Sequence, residues 1–179
     1  MTREDKLIKR MEQGDTDAAD ELMEMFYPEI LRYCLWHAPN RSLAEDAAQE
    51  TFLKFLRFYD RYAHRGKFRA FLYRIAANTC IDMGRKTHYS DVSFEDLTAE
   101  LTYLEPGFED VQSELFLRQL VSTLPQEQRE IVLLRFGQDL TLREISIVVN
   151  APLRTVQSRL RMALKKLKQE FRKEDYFEK

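Results

Sequence analysis

Apolar side chains recur every three or four residues along most of this chain, and this spacing constrains the fold more than any other feature. From Ala18 to Cys34, for example, they include Leu22, Phe26 and Ile30, which fall on one face of an α-helix. The 179 residues contain only five glycines and five prolines, too few for the many tight turns of a β-sheet protein. The sequence therefore predicts an all-α fold.

Four helices are predicted in the amino-terminal half. The first ends at Gly14 and the second begins near Asp17. Ser42, with Glu45 three residues later, forms a capping-box pattern that predicts the start of the third helix. The fourth helix should end near Gly84. The predicted apolar stripe of the third helix is Leu43, Ala47, Phe52, Leu53, Phe55 and Leu56. That of the fourth is Phe68, Phe71, Leu72, Ile75, Ala76, Thr79 and Ile81.

An acidic stretch follows these helices. Between Ser90 and Gln112 seven side chains are acidic and none is Lys or Arg. Such a segment cannot collapse on itself, so we expect an extended, mobile linker in the free protein. The predicted organisation is an amino-terminal helical bundle over 1–89, a linker over 90–112 and a second helical domain over 113–179.

The second domain contains the sharpest pattern. Thr141 and Glu144 match a second capping box, Asn150-Ala151-Pro152 forms a tight break, and a basic helix begins near Leu153. A short helix, a turn and a longer helix form a helix-turn-helix, whose second helix enters the major groove of DNA. Its predicted apolar stripe is Leu153, Val156, Leu160, Ala163, Leu164 and Leu167. Its polar face, which supplies the candidate DNA contacts, is Arg154, Thr155, Gln157, Ser158, Arg161 and Lys165. The alternative is a helical hairpin with a charged outer face.

A second basic region lies in the bundle, where basic and aromatic residues alternate from Arg61 to Arg74. Basic groups can follow the backbone of a separated strand while aromatic rings stack on its bases. The core spacing of Phe68 and Phe71 indicates that most of these rings are buried. The candidates are therefore the loop residues and the solvent side of the fourth helix.

Four strings, taken together, resemble bacterial RNA polymerase sigma factors of the extracytoplasmic-function (ECF) type. They are AEDAAQETF at 44–52, FRAFLYRIAAN at 68–78, Leu124-Pro125 with Arg129, and LTLREI at 140–145 followed by Pro152 and TVQSRL at 155–160. One string would be weak evidence, whereas four in this order and spacing are specific. The resemblance covers nearly the whole chain. It implies a subunit that binds core RNA polymerase and promoter DNA and directs transcription initiation.

The resemblance also implies roles for particular residues. The helix with Asp46, Gln49 and Glu50 would bind the clamp helices of the polymerase largest subunit. The polar face of the last helix would read the minus-thirty-five element, and the acidic linker would run through the polymerase. The residues that would read and melt the minus-ten element are Arg61, Tyr62, His64, Arg65, Lys67, Arg74 and Asn78.

Other classes of function have less support. A free-standing helix-turn-helix regulator, which binds operator DNA without polymerase, remains the alternative. A decoy that sequesters polymerase would not need the basic loop at 61–67. The sequence has no nucleophile elbow or phosphate loop, so we expect no enzyme. Cys34 and His37 form a lone Cys-x-x-His without a second ligand pair, so we expect no metal and no other cofactor.

The expected compartment is the cytoplasm. No apolar run approaches the roughly 20 residues of a membrane helix, and the charged amino terminus lacks the apolar core of a signal peptide. Cys34 and Cys80 are the only cysteines, which argues against a disulfide framework. The sequence leaves open whether an anti-sigma factor is a further partner.

Overall fold

The structure is a computed structural model that describes residues 2–86 and 118–174, with side chains as far as Arg172. The described segments are helices joined by turns, with no strand among them. The chain divides into two compact units, Met1–Val92 and Ser93–Lys179. An all-α fold with two helical domains is therefore confirmed. The predicted linker at 90–112 lies outside the described residues, so the domain boundaries on either side of it stay predictions.

The amino-terminal unit is a bundle of four helices in which α2 packs against all three others and α3 also packs against α4. Its core contains fully buried aromatic rings, including Tyr33, Phe55 and Tyr73. A single 3₁₀ turn, Tyr59–Arg61, follows the third helix. The helices are α1 (Arg3–Glu12), α2 (Asp17–His37), α3 (Arg41–Phe58) and α4 (Phe68–Lys86).

The start of α3 differs from the prediction. Asn40 is its N-cap, because the side-chain oxygen of Asn40 accepts a hydrogen bond from the backbone N–H of Leu43 at 2.9 Å. Asn is among the best N-cap residues, and it precedes Ser42 by two positions. The capping box predicted at Ser42 and Glu45 is therefore wrong. The predicted start of α2 is confirmed, and α4 continues to Lys86 rather than ending at Gly84.

Three predicted core residues of the bundle lie at the surface instead. Leu53 and Leu56 of α3 are 49% and 40% exposed, and Ile81 of α4 is 48% exposed. Phe52 and Phe55 of α3 are buried. The apolar residues at four of the five positions 52–56 span an arc of about 160° around the helix, and the contacts with α2 and α4 cover only part of that arc. Spacing alone does not distinguish the two sides.

In the carboxy-terminal unit, α7 packs against both α5 and α6. Residues 118–122, which precede α5, are helical, and a π-helical turn, Leu133–Gly137, follows α5. The core of this unit includes Ile131, Leu134, Ile145 and Val156, each of which is fully buried. The helices are α5 (Gln126–Val132), α6 (Leu142–Val148) and α7 (Leu153–Glu174).

The large apolar residues Leu164 and Phe136 of this unit lie at the surface. Leu164, predicted in the apolar stripe of the last helix, is 43% exposed, because α5 and α6 cover a narrower face of α7 than the stripe predicts. Phe136 is 58% exposed in the π-helical turn, where the wider hydrogen-bond spacing shifts side chains away from α-helical positions. The start of α6 matches the prediction, since Thr141 and Glu144 form the complete capping box.

No helix in the described ranges combines the length and the apolar character that crossing a membrane requires.

Candidate nucleic-acid and polymerase interfaces

The acidic residues singled out in α3 lie on its solvent side. Asp46 and Gln49 are exposed and Glu50 is half-buried. One carboxylate oxygen of Glu50 lies 3.6 Å from a guanidinium nitrogen of Arg57. The opposite side of α3 is held in the bundle by residues that are all buried: Ala44, Ala47, Ala48, Thr51, Phe52 and Phe55. Because this packing fixes the orientation of α3, the three polar side chains form one outward surface.

The same surface continues into apolar residues that the sequence analysis assigned to the core. Positions 46, 49, 53 and 56 follow one another at intervals of three or four, so their side chains share a helix face. Exposed Leu53 and Leu56 therefore extend the polar group formed by Asp46 and Gln49. The sequence contains a signal for this surface, because two apolar pairs, 52 with 55 and 53 with 56, follow each other in α3. Packing in the bundle buries only one of the two pairs.

The loop after α3 is anchored through two of the predicted minus-ten residues. The Tyr62 ring stacks on Phe71 with centroids 4.5 Å apart, and its edge meets Phe68 at 5.8 Å. The Tyr62 hydroxyl lies 3.2 Å from Nδ1 of His64, whose Nε2 lies 2.8 Å from a carboxylate oxygen of Asp5. Burial raises the pKa of Tyr62 to about 12, so the phenol is neutral. Both residues join the loop to neighbouring helices.

The other predicted minus-ten residues point to solvent. Arg61, Arg65 and Lys67 in the loop and Arg74 and Asn78 on α4 are all exposed. The last two are four residues apart, so their side chains share a helix face. The structure therefore separates the predicted set into two groups. One consists of four exposed cationic residues and Asn78, and the other is the anchored pair Tyr62 and His64.

Arg69, which alternates with the same aromatic residues in the sequence, has a different role. Its Nε and Nη2 atoms each lie 2.9 Å from the Oε2 atom of Glu29 on α2. The Tyr73 hydroxyl donates to the same oxygen at 3.2 Å. The buried hydroxyl of Tyr73 has its pKa raised, first by desolvation and then by the Glu29 charge. This network fastens α4 to α2, so Arg69 belongs to the support of the surface.

The turn between α6 and α7 has the tight geometry of a helix-turn-helix. Asn150 adopts a left-handed backbone with φ of 50°, a conformation that Asn tolerates better than most residues. The backbone N–H of Ala151 donates to the Ser146 carbonyl at 3.1 Å, and that of Val156 donates to the Pro152 carbonyl at the same distance. The break predicted at 150–152 is thereby confirmed.

The outer face of α7 contains the predicted recognition residues. Val156 and Ala163 are buried against the rest of the unit, which turns the opposite face outward. Thr155 is half-buried, and the exposed members are Arg154, Gln157, Ser158, Arg161 and Lys165. Five of the six predicted side chains are therefore brought together on one accessible helix face.

Other basic residues of this unit hold the helix-turn-helix in place. The Nη2 atom of Arg159 lies 2.6 Å from a carboxylate oxygen of Glu127 on α5. Lys166 donates to the Thr123 carbonyl at 2.5 Å. Arg129 donates through Nη2 to the carbonyls of Ser122 and Leu124 at 3.1 and 3.2 Å. Sequence alone does not separate these structural cations from the exposed ones.

Within residues 2–86 and 118–172, no group of three or more His, Cys, Asp or Glu side chains is arranged to hold a metal ion.

Two family models match the chain, each in one of the units. Sigma-70 region 2 matches residues 22–88 and sigma-70 region 4 matches residues 117–167. The first match contains the α3 surface and the basic loop with α4. The second contains α6, the turn and α7 as far as Leu167.

Similar proteins cover almost the entire chain. The ECF RNA polymerase sigma factor SigW of Bacillus subtilis is 28% identical over 93% of this chain and 96% of its own length. The RNA polymerase sigma-H factor of Pseudomonas aeruginosa is 30% identical over 88% of each protein. The ECF RNA polymerase sigma factor SigD of Mycobacterium tuberculosis is 31% identical over 94% of this chain and 84% of its own length.

Two solved structures share the fold at low sequence identity. CnrH, determined in complex with the cytosolic domain of CnrY, has a TM-score of 0.69 at 18% identity and covers 92% of this chain and 94% of CnrH. The sigma factor RpoE, determined with the anti-sigma factor NepR from Bartonella quintana, has a TM-score of 0.65 at 18% identity and covers 86% of this chain and 96% of RpoE.

A helix-turn-helix regulator that acts without polymerase is not favoured by these matches, because it would need only the second unit. Sigma-70 region 2 occupies most of the first unit. The chain therefore belongs to the ECF sigma factors and acts as one, binding core RNA polymerase and directing promoter-specific initiation of transcription.

Proposed function

We propose that three separate surfaces of this sigma factor perform polymerase binding, minus-ten recognition and minus-thirty-five recognition. The observation that carries the proposal is the segregation of accessible polar residues onto two faces of the first unit and one face of the second. The accessible residues have the chemistry that each partner requires. The protein would act in the cytoplasm, without catalysis of its own.

Polymerase binding is assigned to Asp46, Gln49 and Glu50, with Leu53 as an apolar extension. Carboxylate and amide groups on α3 can pair with basic groups of a partner helix, while Leu53, 49% exposed, can bury apolar area in the same contact. Apolar anchors supply much of the affinity at such interfaces, and surrounding charges fix orientation.

Minus-ten recognition is assigned to the loop after α3 and to α4. Exposed Arg61, Arg65, Lys67 and Arg74 would neutralise phosphates as the strands separate. Asn78 would offer an amide to a flipped base, for which hydrogen bonds to the base edge are the usual mode of recognition. Because Tyr62 and His64 have partners in the bundle, we propose that they chiefly hold the loop in position.

Minus-thirty-five recognition is assigned to the outer face of α7. Arg154 and Gln157 lie in its first two turns, and the amino-terminal part of a recognition helix reaches base edges. Arg and Gln can form paired hydrogen bonds to guanine and adenine respectively. Thr155, Ser158 and Arg161 lie beside them for bases or phosphates. Lys165, farther along the helix, would contact the DNA backbone.

The experiment that tests the polymerase surface compares two matched double variants. Asp46→Ala with Glu50→Ala should lower the affinity for core polymerase by at least about tenfold, measured by pull-down and by titration. Asp20→Ala with Glu24→Ala on α2 removes two non-buried carboxylates at the same spacing and should leave the affinity unchanged. Equal effects of the two pairs, with folding intact, would show that only net charge matters and would remove the assignment.

The full function is tested by transcription in vitro with core polymerase, followed by mapping of start sites. Start sites that share an upstream element, and that disappear when the protein is omitted, are expected. Binding of duplex DNA by the protein alone, without stimulation of the polymerase, would instead support the free-standing regulator.

We also propose an anti-sigma partner. The support is the likeness in fold to CnrH, determined with part of CnrY, and to RpoE, determined with the anti-sigma factor NepR. Affinity capture on the wild-type chain should recover a protein that inhibits transcription and that core polymerase displaces. A captured protein that leaves transcription unchanged would not be an anti-sigma factor.

A further inference from the structure

Two thiols meet between α2 and α4. Cys80 donates its S–H to the sulfur of Cys34, with the two Sγ atoms 3.8 Å apart. Cys34 is completely buried in the last turn of α2, whereas Cys80 on α4 is partly exposed. We propose that this pair is an oxidation site, at which hydrogen peroxide forms a reversible disulfide that links α2 to α4.

The positions of the helices favour the bond. A disulfide has an S–S distance of about 2.05 Å, so the two sulfur atoms, 3.8 Å apart, must approach by a little under 2 Å. The backbones are already held together, since α2 packs against α4 and the rings of Tyr33 and Tyr73 meet at 5.5 Å. The Glu29 and Arg69 ion pair joins the same two helices.

The two cysteines have different chemical surroundings. Burial away from water raises the pKa of the Cys34 thiol, so Cys34 remains protonated at neutral pH. Thiolate character and access control the reaction of cysteine with oxidants. The more exposed Cys80 is therefore the residue that meets peroxide first, and Cys34 is the resolving thiol.

The reaction balances with peroxide as the oxidant. The Cys80 thiol loses its proton, and the thiolate attacks one peroxide oxygen. The O–O bond breaks, the leaving hydroxide takes up the proton, and the products are a sulfenic acid on Cys80 and one water. The sulfur of Cys34 then attacks the sulfenic sulfur, and its proton leaves with the hydroxyl group as the second water. Two thiols lose two electrons in total, and peroxide gains them.

The disulfide would restrain α4, the helix that contains residues proposed for minus-ten recognition. It closes the chain between residues 34 and 80, which restrains the unfolded state and stabilises the folded unit. Arg74 and Asn78, proposed for minus-ten recognition, lie on the same helix as Cys80. In a reducing compartment such bonds are transient and typical of redox sensing, so the disulfide is expected to be reduced again by dithiol reductants.

The test uses the reduced full-length chain and hydrogen peroxide. Digestion without reductant should yield a peptide pair joined through Cys34 and Cys80, and thiol-alkylating label should be lost from both residues. Dithiothreitol should restore the label. The oxidised protein should melt roughly 5–10 °C above the reduced protein. Overoxidation of Cys80 without a joined peptide, crosslinks only between chains, or an unchanged melting temperature would each overturn the proposal.

Two single variants distinguish the roles of the thiols. In Cys34→Ala, peroxide should carry Cys80 on to sulfinic acid, because the resolving thiol is absent. In Cys80→Ser, the buried Cys34 should keep its thiol under the same treatment, and its oxidation as fast as in the wild type would contradict the order of reaction. Neither measurement involves polymerase or DNA, so this site is tested independently of the proposed function.

Discussion

The two units present their candidate surfaces in different ways. In the carboxy-terminal unit the outer face of a single continuous helix, α7, contains all the proposed recognition residues except half-buried Thr155. In the amino-terminal unit the basic loop depends on partners in other helices: Tyr62 stacks on Phe71, and His64 contacts Asp5. A helix face follows from spacing along the chain, whereas an anchored loop follows from tertiary contacts that are distant in sequence. In the first unit, substitutions of the buried residues that hold the loop should therefore impair function. In the second unit, substitutions of the exposed residues of α7 should be sufficient to impair function.

The largest expected effect comes from the ring beneath the loop. Phe68 is 1% exposed and its ring meets those of Phe26, Phe55 and Tyr62 at 5.2, 5.1 and 5.8 Å. Phe68→Ala should lower the free energy of unfolding by about 3–5 kcal/mol, measured by urea titration followed by circular dichroism, and should also impair promoter melting.

The matched control lies in the other unit. Phe136 is 58% exposed, so Phe136→Ala should change the free energy of unfolding by no more than about 0.5 kcal/mol. Similar losses in the free energy of unfolding from the two substitutions would contradict the distinction between a loop that depends on buried residues and a helix face that follows from local spacing.

The ion pair between α2 and α4 should give the next largest effect. Glu29 accepts from Arg69 and from Tyr73, so Glu29→Ala removes one carboxylate from two donors. The expected loss in the free energy of unfolding is about 1–3 kcal/mol, because the buried Tyr73 hydroxyl loses its acceptor. Glu24→Ala, an exposed change on the same helix, is the control. Equal unfolding curves for the two variants would assign no structural role to the network.

The outer face of α7 should respond without a change in stability. Arg154→Ala or Gln157→Ala should weaken the binding free energy for the preferred upstream element by about 1–3 kcal/mol and should relax the sequence preference of the protein. Lys165→Ala should weaken binding to all upstream elements alike. It should also reduce the salt dependence of binding by the contribution of about one phosphate contact. Transcription from a panel of upstream-element variants measures both effects. If Arg154→Ala and Gln157→Ala lower every promoter by the same factor, these residues only position the unit.

Sequence spacing predicted the second unit better than the first for the same physical reason. The capping box at Thr141, the turn at Asn150 and the outward face of α7 are local features, and all appear in the structure. Leu53 and Leu56 were misassigned to the core, since the bundle contact that leaves them exposed involves residues far along the chain. The attachment of Arg69 to Glu29, 40 residues away, has no local signal. The roles of the individual site residues stay predictions until the experiments above are done.

The smallest expected effect is on acid stability, and it concerns the anchor of the loop. The pKa of Asp5 is lowered to about 2, first by the hydrogen bond from the backbone N–H of Thr2 and then by the contact with His64. A carboxyl whose folded pKa lies below its usual value of 3.8 stabilises the fold above that value. This contribution is lost as pH falls from about 4 to about 2. Asp5→Asn should therefore make the decline in stability over this interval shallower, measured as melting temperature against pH.

Some decline should remain, because Arg10 lowers the pKa of Asp15 in the same direction. A variant whose melting temperature falls as steeply as that of the wild type would show that Asp5 does not couple the loop to α1 in solution, and the first unit would then hold its basic loop through the Tyr62 ring contacts alone.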